Sequence, residues 1–188
     1  MAERLIIGIS GASGAPIAVE LLRQLQENHS EIETHLILTR GAELTLRQEC
    51  DLGAEDLRPL VSVLHDNDEI GASIASGSFR TMGMIVVPCS MKTAAGIHSG
   101  YSDNLLLRAA DVCLKERRKL VLCARESPMS TIHLRNLYEL SQMGAVIVPP
   151  MLSFYQHPQT AADCTRQAAS RLLHQFDLDT DSFTWEGL

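Results

Sequence analysis

From Arg4 to Ile9 the chain is apolar without alternation, and the same unbroken pattern returns at Thr34–Leu38, Met84–Val87, Lys119–Ala124 and Ala145–Val148. Runs of this kind fit strands buried on both faces. Between them apolar positions recur at helical spacing. Ile17, Val19, Leu21, Leu22 and Leu25 predict a core-facing helix over 17–25, and further helices are predicted over 41–49, 101–117, 131–143 and about 159–176. Pro16 stands where a first helical turn tolerates proline, and Gly144 marks a helix stop. Residues 50–78 are polar and carry the turn signals Asn67-Asp68-Glu69 and Ala75-Ser76-Gly77-Ser78, so only short elements are predicted there. Residues 89–100 read as a small-residue loop.

Apolar strands alternating with amphipathic helices predict an α/β fold, with a parallel sheet, right-handed crossovers and helices on both faces. The pattern shows no internal repeat and no linker. It predicts a single domain over residues 1–188 with a short tail from about residue 177. Such sheets bind ligands outside the carboxyl ends of their strands. Ser10–Gly14, Thr39-Arg40, Cys89–Thr93, Arg125-Glu126 and the loop 149–158 with Tyr155 each come directly after a predicted strand. One functional edge is therefore expected.

Composition narrows the partners. The chain has 188 residues, with 16 Lys+Arg against 23 Asp+Glu and a net charge of −7. That balance argues against nucleic acid or an anionic membrane as a general partner. The apolar run Leu5–Ile9 is too short for a signal-peptide core, and no stretch is long enough to span a bilayer. The cysteines, Cys50, Cys89, Cys113, Cys123 and Cys164, form no Cys-x-x-Cys pair, which fits free thiols and a cytoplasmic location. Only three lysines occur, Lys92, Lys115 and Lys119.

The chemistry of the edge stays open on spacing alone. Gly8, Gly11 and Gly14 recur every three residues, which is neither a dinucleotide fingerprint nor a phosphate loop. The turn could offer backbone N–H groups and the Ser10 and Ser13 hydroxyls to an anion, or only make a tight connection. Ser90, Lys92 and Thr93 could hold an anion or solvate a loop. Arg108, Asp111 and Lys115 share a helical stripe, either a phosphate site or a salt-bridged face. Tyr155 and Arg171 could grip a phosphate, or be a packed aromatic and a surface cation. No histidine has metal-ligand spacing, and no metal site is predicted.

Six blocks taken in order are specific. These are Gly8-Ile9-Ser10-Gly11-Ala12-Ser13-Gly14-Ala15, Ala75-Ser76-Gly77-Ser78-Phe79, Pro88-Cys89-Ser90-Met91-Lys92-Thr93, the stretch Arg108 to Arg117, Arg125-Glu126-x-Pro128, and Pro149-Pro150 with Phe154-Tyr155-x-x-Pro158. Together they resemble the UbiX family of flavin prenyltransferases from about Arg4 to Trp185. The resemblance implies a flavodoxin-like Rossmann fold, a homododecamer and a metal-independent reaction. Members move a dimethylallyl group from dimethylallyl phosphate to N5 and C6 of reduced FMN. The product, prenylated FMN, serves a UbiD-type decarboxylase of aromatic or unsaturated acids. A different reading is an FMN-binding carrier subunit of an aromatic acid decarboxylase complex.

The resemblance also assigns roles to residues. Gly11, Ala12, Ser13, Thr39, Ser90, Met91, Lys92, Thr93 and Arg125 fall where the family holds FMN, with Thr39 standing where a serine is usual. Lys115, Glu126, Tyr155 and Arg171 fall where it binds dimethylallyl phosphate, and Ser13, Lys115 and Glu126 where it assists catalysis. Arg108 and Trp185 match further positions near the site. Some members carry a tryptophan in the loop that here reads Asn67-Asp68-Glu69, a departure at the wall of the prenyl pocket.

Overall fold

The computed structural model describes residues 3–180 and 187. Six strands form one sheet: β1 (Arg4–Ile9), β2 (Glu33–Leu38), β3 (Val63–His65), β4 (Gly83–Cys89), β5 (Lys119–Ala124) and β6 (Val146–Ile147). All neighbours pair in parallel, in the order β3-β2-β1-β4-β5-β6. That is the strand order of a doubly wound Rossmann sheet. Without the three-residue edge strand β3 it becomes the flavodoxin-like order.

The apolar runs are unbroken because both faces of the sheet are covered. Leu5, Ile7, Ile9, Ile85 and Val87 pack in one core with α1 (Ala15–Asn28), α2 (Arg40–Cys50) and α6 (Ala161–Leu173). Ile6, Met84 and Val86 point the other way, into a second core with α3 (Met91–Ser99), α4 (Leu105–Lys115) and α5 (Thr131–Gln142). No helix among the described residues is long and apolar enough to cross a membrane.

Two expectations change. Residues 89–100 hold α3 rather than a loop: the Ser90 hydroxyl accepts the Thr93 N–H at 3.2 Å and starts the helix. Its buried face is small, mainly Met91, Ala94 and Ile97, so the helical period is faint in the sequence. The helix expected from residue 101 begins at Leu105, where the Asn104 side chain accepts the Leu107 N–H at 3.0 Å. Residues 50–78 hold short elements, as expected, among them β3, whose three residues are too few to show a period.

The sheet reverses its winding between β1 and β4, and Ser10 stitches the two strand ends together there. Its buried hydroxyl donates to the Pro88 carbonyl at 2.9 Å and accepts the Ser90 N–H at 2.8 Å. The loops that leave β1 and β4 are thereby fixed relative to one another. A ligand crevice is expected at this reversal.

Candidate functional site

A cleft of about 730 Å³ opens at the reversal point. Gly11 at the entry to α1, Thr39, Arg40 and Gly41 at α2, Ser90–Thr93 at α3, and Asn104, Leu106 and Leu107 at α4 all line it. In a parallel α/β sheet every helix starts at the carboxyl edge, so four helix N-termini converge on one volume. The first N–H groups of α1 are taken by Glu49 and those of α4 by Asn67 and Asn104, so the starts of α2 and α3 are the ends that favour an anion. Arg40 and Lys92 add full charges, and Thr39, Ser90 and Thr93 add hydroxyls. Glu126, just after β5, and Asp103 each add a carboxylate to the lining. Gly11 and Gly41 lie so close that a Cβ on Gly11 would stand 2.9 Å from the Gly41 Cα. The narrow end of the cleft therefore exists because both positions lack a side chain.

Ala12 and Ser13 sit on the turn beside this cleft. Gly14 adopts φ +121°, open to glycine, and provides no side-chain cap for α1. Glu49, from the last turn of α2, caps it instead: its Oε2 accepts the N–H groups of Gly14 and Ala15, each at 2.9 Å. Burial tends to raise the Glu49 pKa, but these N–H groups, the Ser13 hydroxyl and the Arg125 charge outweigh it and hold the carboxyl below its ordinary value. Glu49 is thus an ionised partner of Ser13 that the sequence pattern does not disclose. Its contact spans 35 residues and leaves no local signal. Gly41, Asn67 and Asn104 are further lining residues missed for the same kind of reason, although Asn104 carries a legible capping pattern before an apolar run.

Tyr155 and Arg171 meet in a separate hollow of about 350 Å³, along the open side of β6. Val146, Val148, Pro149 and Leu172 give it apolar walls, and Gln167, one turn before Arg171 on α6, adds an amide. Among the described residues Arg171 has no carboxylate partner, so its five donors remain available to an anion. The hollow and the cleft occupy adjoining parts of the sheet, on either side of β5.

The expectation of one shared edge fails for Lys115. α4 starts at the cleft and runs against the strands, and Lys115 is its last residue. Ten residues at 1.5 Å each place it roughly 15 Å from the start of the helix. There it pairs with Glu116 at 2.6 Å, against the turn at Gly77. Arg108 also leaves the cleft, donating to the Ala75 carbonyl at 3.1 Å and to Asp111 at 2.7 Å. A shared helical stripe fixes the face on which residues lie but not the end of the sheet they reach. Trp185 lies outside the described residues.

All five cysteines are free. Burial pushes the Cys113 and Cys123 thiols up to about 12, which removes them as nucleophiles at neutral pH.

A family model described as Flavoprotein matches residues 1–170. Flavin prenyltransferase UbiX of Escherichia coli strain K12 is 49% identical over 188 residues, covering 98% of this chain and 99% of that protein. AnUbiX (PadA1), solved in complex with FMN and dimethylallyl pyrophosphate, superposes with a TM-score of 0.96 at 46% identity, covering all of both chains. A dodecameric FMN-dependent UbiX-like decarboxylase from Escherichia coli O157:H7 gives 0.95 at 50% identity, over 98% of this chain and all of that one. With the glycine turn, the capped α3 entry and the Tyr155–Arg171 hollow in place, the chain belongs to the UbiX-like flavin prenyltransferases, within the Flavoprotein family.

Proposed function

We propose that this chain transfers a dimethylallyl group from dimethylallyl phosphate to N5 and C6 of reduced FMN, yielding prenylated FMN for a UbiD-type decarboxylase. The observation that carries it is the cleft itself: the N-termini of α2 and α3, two cations and three hydroxyls fit a flavin phosphate, within a volume fit for a small organic ligand. Bound flavin supplies the ring atoms that accept the prenyl unit. Gly11, Ala12, Thr39, Ser90, Met91, Lys92, Thr93 and Arg125 hold it. Ser13, oriented by Glu49, and Glu126 hold and move protons at its edge.

The donor belongs in the hollow beside β6. Breaking its allylic C–O bond leaves an anion, which the Arg171 guanidinium and the Tyr155 hydroxyl stabilise once water is excluded. Lys115 serves the same anion from a neighbouring copy of the chain, with Arg108 nearby. Supporting this are the position of Lys115 at the far end of α4, the dodecameric relative, and the exposed Met151, Leu152 and Phe154 on the loop after β6. The five free cysteines support a reducing, cytoplasmic location.

Anaerobic mixing of the protein with reduced FMN and dimethylallyl phosphate should release phosphate and raise the flavin mass by one prenyl unit. Dimethylallyl diphosphate, run in parallel, identifies the preferred donor. Flavin that binds but never gains mass with either donor would overturn the proposal. Glu126→Gln should keep FMN bound and lose transfer; equal inertness of wild type and variant would instead favour the carrier reading.

A further inference from the structure

Beneath the segment 66–82, which joins β3 to β4, lies a half-buried polar chain, centred on buried His35, that the reaction above does not use. Arg4 on β1 donates Nε–H to Glu33 Oε2 at 2.8 Å, and its guanidinium stacks over the Phe79 ring at 4.4 Å. Glu33 Oε1 faces His35 Nε2 at 3.1 Å, and His35 Nδ1 faces His65 Nε2 at 2.9 Å. The two imidazole planes lie within 15° of each other with centroids 5.2 Å apart, and Phe79 meets His35 edge-on. His35 is 2% exposed.

The hydrogen bonds fix the protons. An ionised carboxylate only accepts, so His35 carries its hydrogen on Nε2 and presents Nδ1 as an acceptor. His65 must then donate from Nε2, so a proton on its Nδ1 leaves the bond to His35 intact. A hydrogen on His35 Nδ1 would set N–H against N–H and break the link between β2 and β3.

The link matters because β3 leads straight into a wall of the cleft. Two residues beyond His65, the Asn67 carbonyl accepts the Leu105 N–H at 2.8 Å and its Oδ1 accepts the Leu106 N–H at 3.1 Å. Asn67 thus holds the start of α4 and itself lines the cleft. We propose that His35 and His65 are positioning residues for the flavin cleft, and that proton uptake at His35 Nδ1 loosens the wall built on Asn67. The inference rests on the cleft being the FMN site.

The groups facing the pair are Arg4 from β1, Glu33 from β2 and Glu69 from the covering segment, with Asp66 adjoining His65 along the chain. α4, packed over the same face, turns apolar Leu106, Ala109 and Cys113 inward and keeps Arg108 and Asp111 paired to each other. Burial is the main influence on both histidines and lowers both pKa values; Glu33 pulls His35 upward, and Glu69 does the same for His65, without cancelling it. The opened state therefore binds protons more readily than the closed one. The closed wall is fully favoured above the ordinary histidine value of 6.5 and weakens as pH falls below it.

Hydrogen exchange on the full chain reads the wall without any flavin. After correction for intrinsic rates, protection at Leu105 and Leu106 should fall about fivefold or more from pH 7.5 to 5.5 in the wild type. His65→Gln offers an amide N–H to neutral His35 and, turned over, a carbonyl to a protonated His35 Nδ1, so its loss should stay under about twofold. Equal losses in the two proteins would overturn the proposal. FMN affinity, followed by flavin fluorescence over the same range, is the second arm. The flavin phosphate itself takes up a proton near pH 6, so the readout is the ratio between the proteins, with wild type losing about fivefold more affinity than the variant. Parallel affinity curves would overturn the coupling to flavin. An exchange difference in a chain that binds no FMN would uphold the catch and remove the flavin reading alone. Should His65→Gln fail to fold, nitrogen-15 NMR of the wild-type imidazoles decides. Both titrating below 6.5, with His35 protonated on Nε2, upholds the proposal, and ordinary titration overturns it.

Discussion

Gly11 and Gly41 approach backbone to backbone, with 2.9 Å between a Cβ added to the first and the Cα of the second. Gly11→Ala must push the entry of α2 outward, at an overpacking cost of about 1–3 kcal/mol. We expect FMN affinity to fall about tenfold or more as a result, measured by flavin fluorescence. Glu49 gives a second prediction. Glu49→Gln keeps an acceptor for Gly14 and Ala15 but removes the charge beside Ser13, so prenyl transfer should drop at least about tenfold while flavin affinity changes little. The pH dependence has a definite sign. Because the folded carboxyl lies below its ordinary value of 4.5, its contribution is complete above that value and is lost as pH falls through the folded pKa. Residues directly after strands, such as Thr39, Ser90 and Glu126, are legible because strand ends are visible in the apolar pattern. Glu49 and Asn67 are not, since each acts through a partner more than thirty residues away.

At the scale of elements, the β1 and β4 loops behave as one unit because of Ser10. Ser10→Ala leaves the buried Pro88 carbonyl short of one donor and the N–H of half-buried Ser90 without its partner, at a cost of about 1–3 kcal/mol. Thermal melting should show a lower midpoint, and FMN affinity should fall with it because the α3 entry is no longer held against the glycine turn. Affinity unchanged in a destabilised variant would show that the two loops act separately. The long, strongly apolar strands and α1 can be read directly. α3 cannot, because its buried positions are small residues, and β3 cannot, because three residues carry no period. Direction is the hardest property to read. The stripe of Arg108, Asp111 and Lys115 is plain in the sequence, yet nothing in its spacing says that the helix leads away from the cleft.

For the whole molecule, the net charge of −7 conceals local cationic sites at Arg40, Lys92 and Arg171. Lys115 and Arg171 offer a test of assembly. Lys115→Ala and Arg171→Ala should each abolish transfer alone. Co-expressed and co-purified, they should recover activity at about one site in four, since random mixing sometimes pairs an intact lysine with an intact arginine from another copy. No recovery in a verified mixed oligomer would mean that each chain must furnish both. The run of α4 from cleft to opposite edge then has a kinetic consequence. A catalyst divided between copies has no turnover as a monomer, so its rate per milligram should collapse on dilution past the assembly threshold. It should also be poisoned, out of proportion to dose, by an inactive copy that still assembles.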